Sequence, residues 1–129
     1  MDCPDCRAEM VAFAVPESLR GQVPAGEAAV ALCPDCLCLV PATDPPADPA
    51  FERIHRRVPT DPGAAIPFAL LLGLLDELAL YRSELSALLE TVERAGVDPL
   101  LVLAHLAADP AFDPAVDLDA RRRQLEQLL

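Results

Sequence analysis

Two short cysteine motifs near the amino end hold the residues best suited to chemistry. Cys3 and Cys6 enclose the dipeptide Pro-Asp, and Cys33 and Cys36 enclose the same dipeptide further along the chain. Two thiolates separated by two residues in a tight turn can bind one metal ion, each at about 2.3 Å. Two such turns that face each other complete a tetrahedral shell of four sulfurs. The spacing therefore predicts one metal site formed by these four cysteines.

Other uses of four thiols fit this sequence less well. Two disulfides would need an oxidising compartment, and the first residues show no basic stretch followed by an apolar one, the pattern of a targeting signal. A thioredoxin-like dithiol uses one Cys-x-x-Cys motif within a βαβ pattern, whereas two motifs here flank a β-like segment. Residues 1–43 can bury little surface on their own, so we expect bound metal to stabilise their fold.

The metal is predicted to be one structural Zn²⁺, with iron as the alternative. Rubredoxins also hold one iron ion between two such motifs, but they surround it with aromatic side chains. Residues 1–43 contain a single aromatic residue, Phe13, which we expect in the core. Because four cysteines alone do not select between the two metals, the scarcity of aromatic residues is what favours zinc.

The two motifs resemble the paired Cys-Pro-x-Cys-Gly knuckles of small zinc-ribbon proteins that are common in haloarchaea. The layout of a ribbon followed by a helical region is similar to a haloarchaeal zinc-ribbon family of unknown function. The resemblance covers residues 1–43 and implies that the four cysteines are the metal ligands. Arg7 and Leu37 stand where the knuckle usually has glycine, which tolerates a positive φ. Another residue there costs roughly 1 kcal/mol or relaxes the turn.

Three further side chains could bind a metal or react. Cys38 could be an alternative ligand or a redox-active thiol, but a leftover cysteine is more often a small buried apolar side chain, and we favour that interpretation. His55 lies among arginines and could bind a metal or an anion, although we expect a surface histidine beside a linker. His105 lies in an apolar helical segment, where we expect it to be partly buried by packing.

The elements that must position the cysteines follow from three zones of composition. We predict an α+β protein with an N-terminal four-cysteine zinc ribbon (residues 1–43), a linker rich in proline and aspartate (44–62) and a C-terminal all-α bundle of about three helices (63–129). The ribbon is expected to be a small antiparallel sheet. Its predicted strands are residues 9–15, 27–32 and 37–40.

Leucine periodicity predicts the helices of the C-terminal zone. A seven-residue apolar repeat predicts one long helix over 67–95, with Gly96 just beyond its end. Asp-Pro pairs predict the starts and stops of two more helices, over 99–108 and 118–129. Residues 68–75 are apolar nearly all round, so other helices, the ribbon or a second copy must cover them. A homodimer through the helical domain is therefore a possible assembly.

Composition and charge restrict where the protein works. The 129 residues carry 21 acidic and 10 basic side chains, a formal charge of −11, and every basic residue is arginine. Excess acidic residues keep a protein hydrated in concentrated salt, so we predict a cytoplasmic protein of a halophilic archaeon; an acidic protein of a GC-rich mesophile is the alternative. The longest apolar run, residues 64–75, is shorter than the roughly 20 residues of a membrane span.

The charges and motifs of the sequence indicate mainly which functions are disfavoured. The first 43 residues carry six acidic side chains against two arginines, and four thiolates around Zn²⁺ add negative charge that repels phosphate. The basic clusters, Arg53 to Arg57 and Arg121 to Arg123, have no interleaved aromatic residues for base stacking. Nucleic acid is therefore an unlikely partner.

Catalysis has even less support. The sequence has no phosphate-binding glycine loop and no Ser/His/Asp set, and four cysteine ligands leave no open coordination position. We predict no catalytic residues. The favoured function is a non-enzymatic zinc-ribbon module that binds a protein partner, whose identity the sequence does not reveal. A nucleic-acid-associated regulator and a rubredoxin-like iron electron carrier are the alternatives.

Overall fold

The sheet is small, antiparallel and three-stranded, as the sequence predicts, although each strand is shorter than expected. A computed structural model of the chain describes residues 1–128. The middle strand of the sheet is the second along the chain, so each connection joins two neighbouring antiparallel strands. The strands are β1 (Val11–Ala14), β2 (Ala29–Leu32) and β3 (Leu39–Pro41).

Strand β2 is buried on both faces and separates two apolar clusters. Its register places Val30 opposite Phe13 of β1, and Ala31 opposite Val40 of β3. Because successive side chains of a strand point to opposite faces, Val30 and Leu32 enter the main hydrophobic core, whereas Ala31 packs in a smaller cluster beside the cysteines. The sheet thus joins the cysteine region to the rest of the molecule.

Within residues 1–128, four helices follow the sheet, rather than about three. The Asp98 side chain accepts from the N–H of Leu101 and caps α3, and the Asp117 side chain does the same for α4 through Ala120, both at 3.1 Å. Gly96, with φ +91°, ends α2 as predicted. The predicted end of the last helix, Leu129, lies outside the described residues. The helices are α1 (Pro62–Leu74), α2 (Arg82–Arg94), α3 (Pro99–Ala108) and α4 (Leu118–Glu126).

The prediction of one long helix over 67–95 is wrong, because the chain turns back on itself between α1 and α2. A short 3₁₀ segment, Leu75–Glu77, follows α1, and a turn leads into α2. Helix α1 is apolar around its whole circumference, and the two helices share the most extensive contact of any helix pair. A straight helix would leave that surface in water, so the burial gained by folding back outweighs the broken helical hydrogen bonds.

The apolar stretch 68–75 is covered within one chain. Phe68, Ala69 and all five leucines of the stretch are buried. Its glycine, Gly73, is where α1 approaches β3, because a Cβ at Gly73 would lie 2.8 Å from the Cβ of Leu39. This cover removes the reason for expecting a second copy over the stretch. No helix in residues 1–128 is both long enough and apolar enough to cross a bilayer.

The segment expected as a linker packs into the core instead. Phe51, Ile54 and Val58 are buried, and the Phe51 ring lies 5.4 Å from the ring of Phe13. These three apolar residues recur at helical spacing and so lie on one face. The overall composition of residues 44–62 does not reveal this face, because prolines and aspartates surround these residues in the segment. The main core draws residues from all three predicted zones.

Candidate metal centre

Each cysteine pair lies in a tight turn, here called a knuckle. The first knuckle (residues 3–8) precedes β1 and is closed by an isolated bridge between Asp2 and Glu9. The second knuckle (residues 33–38) connects β2 directly to β3. Since β1 and β2 pair along their whole length, the sheet brings the two knuckles to the same end.

The two knuckles have the same backbone hydrogen bonds. In each, the N–H of the first cysteine donates to the carbonyl five residues later, and the N–H four residues after that cysteine donates back to its carbonyl. The distances are 2.8 and 2.9 Å in the knuckle of Cys3, and 2.9 and 3.0 Å in that of Cys33. The turns are therefore structural twins, as expected for two halves of one tetrahedral site.

The usual glycine conformation is kept without glycine. Arg7 and Leu37 both have φ +65°, so neither turn has relaxed to avoid the left-handed region. The two residues differ in surroundings, because Leu37 is buried in the main core whereas Arg7 is exposed. Packing can offset the backbone strain at Leu37, but not at Arg7.

The four predicted ligands converge on one point. The sulfurs of Cys3 and Cys36 are 3.6 Å apart, those of Cys6 and Cys33 are 3.2 Å apart, and all four lie within 4.8 Å of one another. Four sulfurs at about 2.3 Å from a tetrahedral ion are about 3.8 Å from each other. The donor set and its spacing therefore fit one four-coordinate metal ion.

The surroundings of the sulfurs favour thiolate at one position and oppose it at others. The backbone N–H of Cys6 lowers the pKa of the Cys3 thiol to about 6. Burial raises the pKa of Cys33 and of Cys36, although the Cys36 N–H donates to the Cys33 sulfur at 3.4 Å. A bound cation would offset this penalty, so metal binding would release protons and weaken in acid.

The packing around the sulfurs is aliphatic. Cys3 and Cys33 cluster with the buried Met10 and Ala31, and Cys36, Cys38, Val40 and three alanines pack against them as partly buried residues. Within residues 1–128, this cluster contains no aromatic ring, since Phe13 points to the main core on the other face of β1. A rubredoxin-like aromatic shell does not form around these sulfurs.

Cys38 is not the fully buried apolar residue that the sequence suggests. It is half-buried, and its sulfur lies 3.3 Å from the Cys3 sulfur. The Cys36 sulfur is further from the Cys3 sulfur, at 3.6 Å. Burial raises the pKa of the Cys38 thiol. With Cys3 and Asp5, Cys38 forms a second, three-residue group that could hold an ion. Cys38 therefore packs against the sulfur cluster as a partly buried side chain and also lies within reach of the Cys3 sulfur.

His55 is buried rather than on the surface, and both of its ring nitrogens are used. Nδ1 accepts from the N–H of Arg57 at 3.0 Å, so the hydrogen resides on Nε2, which donates to Asp109 at 2.7 Å. Bonding to His55, and then to the N–H of Ala111, lowers the pKa of Asp109. His55 is thus a structural residue with no nitrogen free for a metal, and His105 is half-buried as predicted.

Asp109 is the residue that sequence reasoning missed. It precedes a proline and follows α3, which indicates only a helix end. Its partner is 54 residues away along the chain, and no spacing rule connects the two. Only the fold brings them together.

Comparison with known proteins identifies a family. The model of a family of unknown function (DUF6276) matches residues 2–129. No curated protein and no solved structure matches the chain.

Proposed function

This chain belongs to DUF6276, a family of unknown function, and we propose that it is a non-enzymatic zinc-ribbon protein. In this proposal one structural Zn²⁺ stabilises the ribbon, and the folded molecule binds another protein. The observation that carries the proposal is the convergence of the sulfurs of Cys3, Cys6, Cys33 and Cys36 on one point.

The donor set supports a structural rather than a catalytic ion. Four thiolates fill a tetrahedral zinc shell and leave no position for water or substrate. Cys3 and Cys33 are buried, and their packing with Met10 and Ala31 shields one side of the centre. Aliphatic surroundings without rings support zinc over a rubredoxin-like iron.

Each arginine of the cluster Arg121 to Arg123 is paired with an acidic side chain, which argues against nucleic acid as the ligand of this cluster. Arg122 lies 2.9 Å from Asp119 and 2.8 Å from Glu126. Arg53 donates to the backbone carbonyl of Glu9. With basic residues paired in this way and a formal charge of −11, the molecule repels phosphate. A protein partner is the better fit.

Exposed apolar side chains support a protein-binding role. Leu101 on α3 is 55 % exposed and Leu80, in the turn before α2, is 67 % exposed. Helix α3 is almost wholly apolar in sequence, yet only Pro99, Leu103 and Leu106 are buried. We place the protein in the cytoplasm of a halophile, because the acidic charge suits concentrated salt and free thiolates need a reducing compartment.

Metal analysis of protein purified with reductant tests the proposal. We expect one zinc per chain and no visible colour, and we expect Cys3→Ser combined with Cys33→Ser to lose the metal and the order of residues 1–43. Cys38→Ala is the matched control, since Ala8 holds the twin position in the other knuckle; it should keep the zinc. Proteins that co-purify in concentrated salt identify the partner.

Three results would overturn the proposal. Metal content unchanged in the double serine variant would show that the sulfurs are not ligands. A red protein containing iron would favour the electron carrier. Purification from its own cells without any bound protein would remove the binding role.

A further inference from the structure

Cys38 is a fifth thiol at a site that needs four. Its backbone carbonyl completes the second knuckle by accepting from the N–H of Cys33, and the twin bond in the first knuckle ends on Ala8. Alanine therefore suffices for the turn, and the thiol of Cys38 has no part in shaping it. That thiol lies 3.3 Å from the Cys3 sulfur.

The same thiol lines an open cleft. A cavity of about 330 Å³ lies between the second knuckle and the end of α1, with Cys36 and Cys38 on one side and Gly73 on the other. The Cys3 sulfur lies deeper, in a residue only 1 % exposed. A small molecule entering the cleft therefore meets Cys38 before Cys3.

The charge of the cleft selects what enters. Asp5, Asp76 and Glu77 line it, and Arg121 pairs with Asp76 alone at 3.8 Å, so the cleft is acidic overall and disfavours anions. An uncharged oxidant of the size of hydrogen peroxide is not repelled, and the volume holds it easily.

We propose that Cys38 is a thiol-oxidation site: hydrogen peroxide oxidises it, and Cys3 then closes a Cys3–Cys38 disulfide that removes one sulfur from the metal centre. This rests on the proposed function, because release of the ion is the consequence. Oxidation of Cys38 by peroxide thereby leads to release of the metal ion that stabilises the ribbon.

The reaction balances in two steps. The O–O bond of peroxide breaks as an S–O bond forms on Cys38, which yields a sulfenic acid and one water. The Cys3 sulfur attacks the Cys38 sulfur, so the S–S bond forms and the S–O bond breaks. The departing hydroxide takes up the proton that Cys3 gives as a thiol, or one from solvent where Cys3 is a thiolate. Two electrons leave the two sulfurs and reduce one peroxide to two waters.

Geometry favours this disulfide over the others. Cys6 and Cys33 are closer, at 3.2 Å, but both belong to the four-sulfur set, and a bound ion holds its ligands about 3.8 Å apart. Cys38 is outside that set and is not held by the ion, although its raised thiol pKa makes its reaction with peroxide slow. Disulfide formation requires the distance between the Cys3 and Cys38 sulfurs to close from 3.3 Å to roughly 2 Å.

Disulfide mapping and metal release together test the proposal. Zinc-loaded protein is treated with peroxide, and zinc release is followed with a coloured chelator. A protease that cleaves on the N-terminal side of aspartate, used without reductant, leaves Cys3 in the peptide 2–4. It leaves Cys36 and Cys38 together in the peptide 35–43. We expect these peptides to be joined, with a mass loss of about 2 Da, and fragmentation to place the bond on Cys38. Cys38→Ala should keep its zinc but release it at least tenfold more slowly.

The outcomes separate this inference from the proposed function. A first disulfide between Cys6 and Cys33, or equal release rates for Cys38→Ala and the parent chain, would overturn the role of Cys38 while leaving the zinc site intact. Reduced protein without any metal would instead overturn the zinc proposal, and a Cys3–Cys38 disulfide would still be measurable by mass. Reductant and added zinc should reverse the change in the parent chain.

Discussion

Two residues with the same strained backbone angle differ in whether packing compensates for the strain. Leu37 and Arg7 both hold φ +65°. Leu37 is 2 % exposed and its burial contributes on the order of 2 kcal/mol, which offsets a left-handed penalty of about 1–2 kcal/mol. Arg7 is exposed and has no such compensation, so the first knuckle carries strain that glycine would remove.

We expect Arg7→Gly to be more stable than Arg7→Ala by about 0.5–1 kcal/mol, because relief of strain exceeds the added freedom of the unfolded chain. The alanine variant removes the same charge and keeps the strain, so it is the matched control. Leu37→Gly should destabilise by about 2–4 kcal/mol through lost packing. Thermal unfolding of the zinc-loaded proteins measures all three; equal stability of both Arg7 variants would show that the turn is unstrained.

Among the helices, capping residues predict the helix ends correctly, whereas the sequence does not predict how distant segments pack together. The end of α2 is predictable from Gly96 and the start of α3 from the Asp98-Pro99 pair, since caps act within a single turn. The seven-residue repeat over 67–95 continues across the break because α1 is apolar on every side and α2 has one buried apolar face, so both contain leucines at that spacing. Periodicity records which face is buried, and it does not record where a helix folds back.

The four sulfurs were predictable because ligand spacing is local within each knuckle. The pairing of His55 with Asp109 was not, because it depends on how the segment before α1 packs against the end of α3. That segment has the composition of a linker because it contains few large apolar residues, but all three of them, Phe51, Ile54 and Val58, are buried.

The pair also makes a pH-dependent link between these two elements. Asp109→Ala should cost about 1–3 kcal/mol at neutral pH, because it leaves the buried Nε2–H of His55 without an acceptor. His55, the N–H of Ala111 and the Arg56 charge lower the Asp109 pKa below its ordinary value of 3.8. A lowered carboxyl pKa stabilises the fold above that ordinary value, and the contribution is lost as the pH falls through the lowered pKa. The difference between parent and variant should therefore shrink in acid.

Denaturant unfolding from neutral pH down to about pH 3 measures that difference. Asp113→Ala is the matched control, since Asp113 is an exposed aspartate that also precedes a proline in the same connection. It should change stability by less than about 0.5 kcal/mol. A loss for Asp109→Ala no greater than for Asp113→Ala would show that the bond to His55 contributes nothing.

At the scale of the whole molecule, the sheet connects the metal centre to the helices. Strand β2 contributes Ala31 to the sulfur cluster and Val30 and Leu32 to the main core. Gly73 brings α1 against β3 beside the second knuckle. Loss of the ion would loosen the two strands that adjoin that knuckle, and each of them contacts α1.

Removing the metal should therefore reach the helices, although they hold no ligand. We expect a chelator to raise amide hydrogen exchange in β2 and, by at least tenfold, at Leu70 to Leu72 in the middle of α1, which corresponds to about 1.4 kcal/mol of lost protection. Those leucines are fully buried in the core shared with the sheet. Added zinc should restore protection at both places. Faster exchange confined to the ribbon would mean that the helices fold independently of the metal, because local openings in separate units do not change each other's free energy.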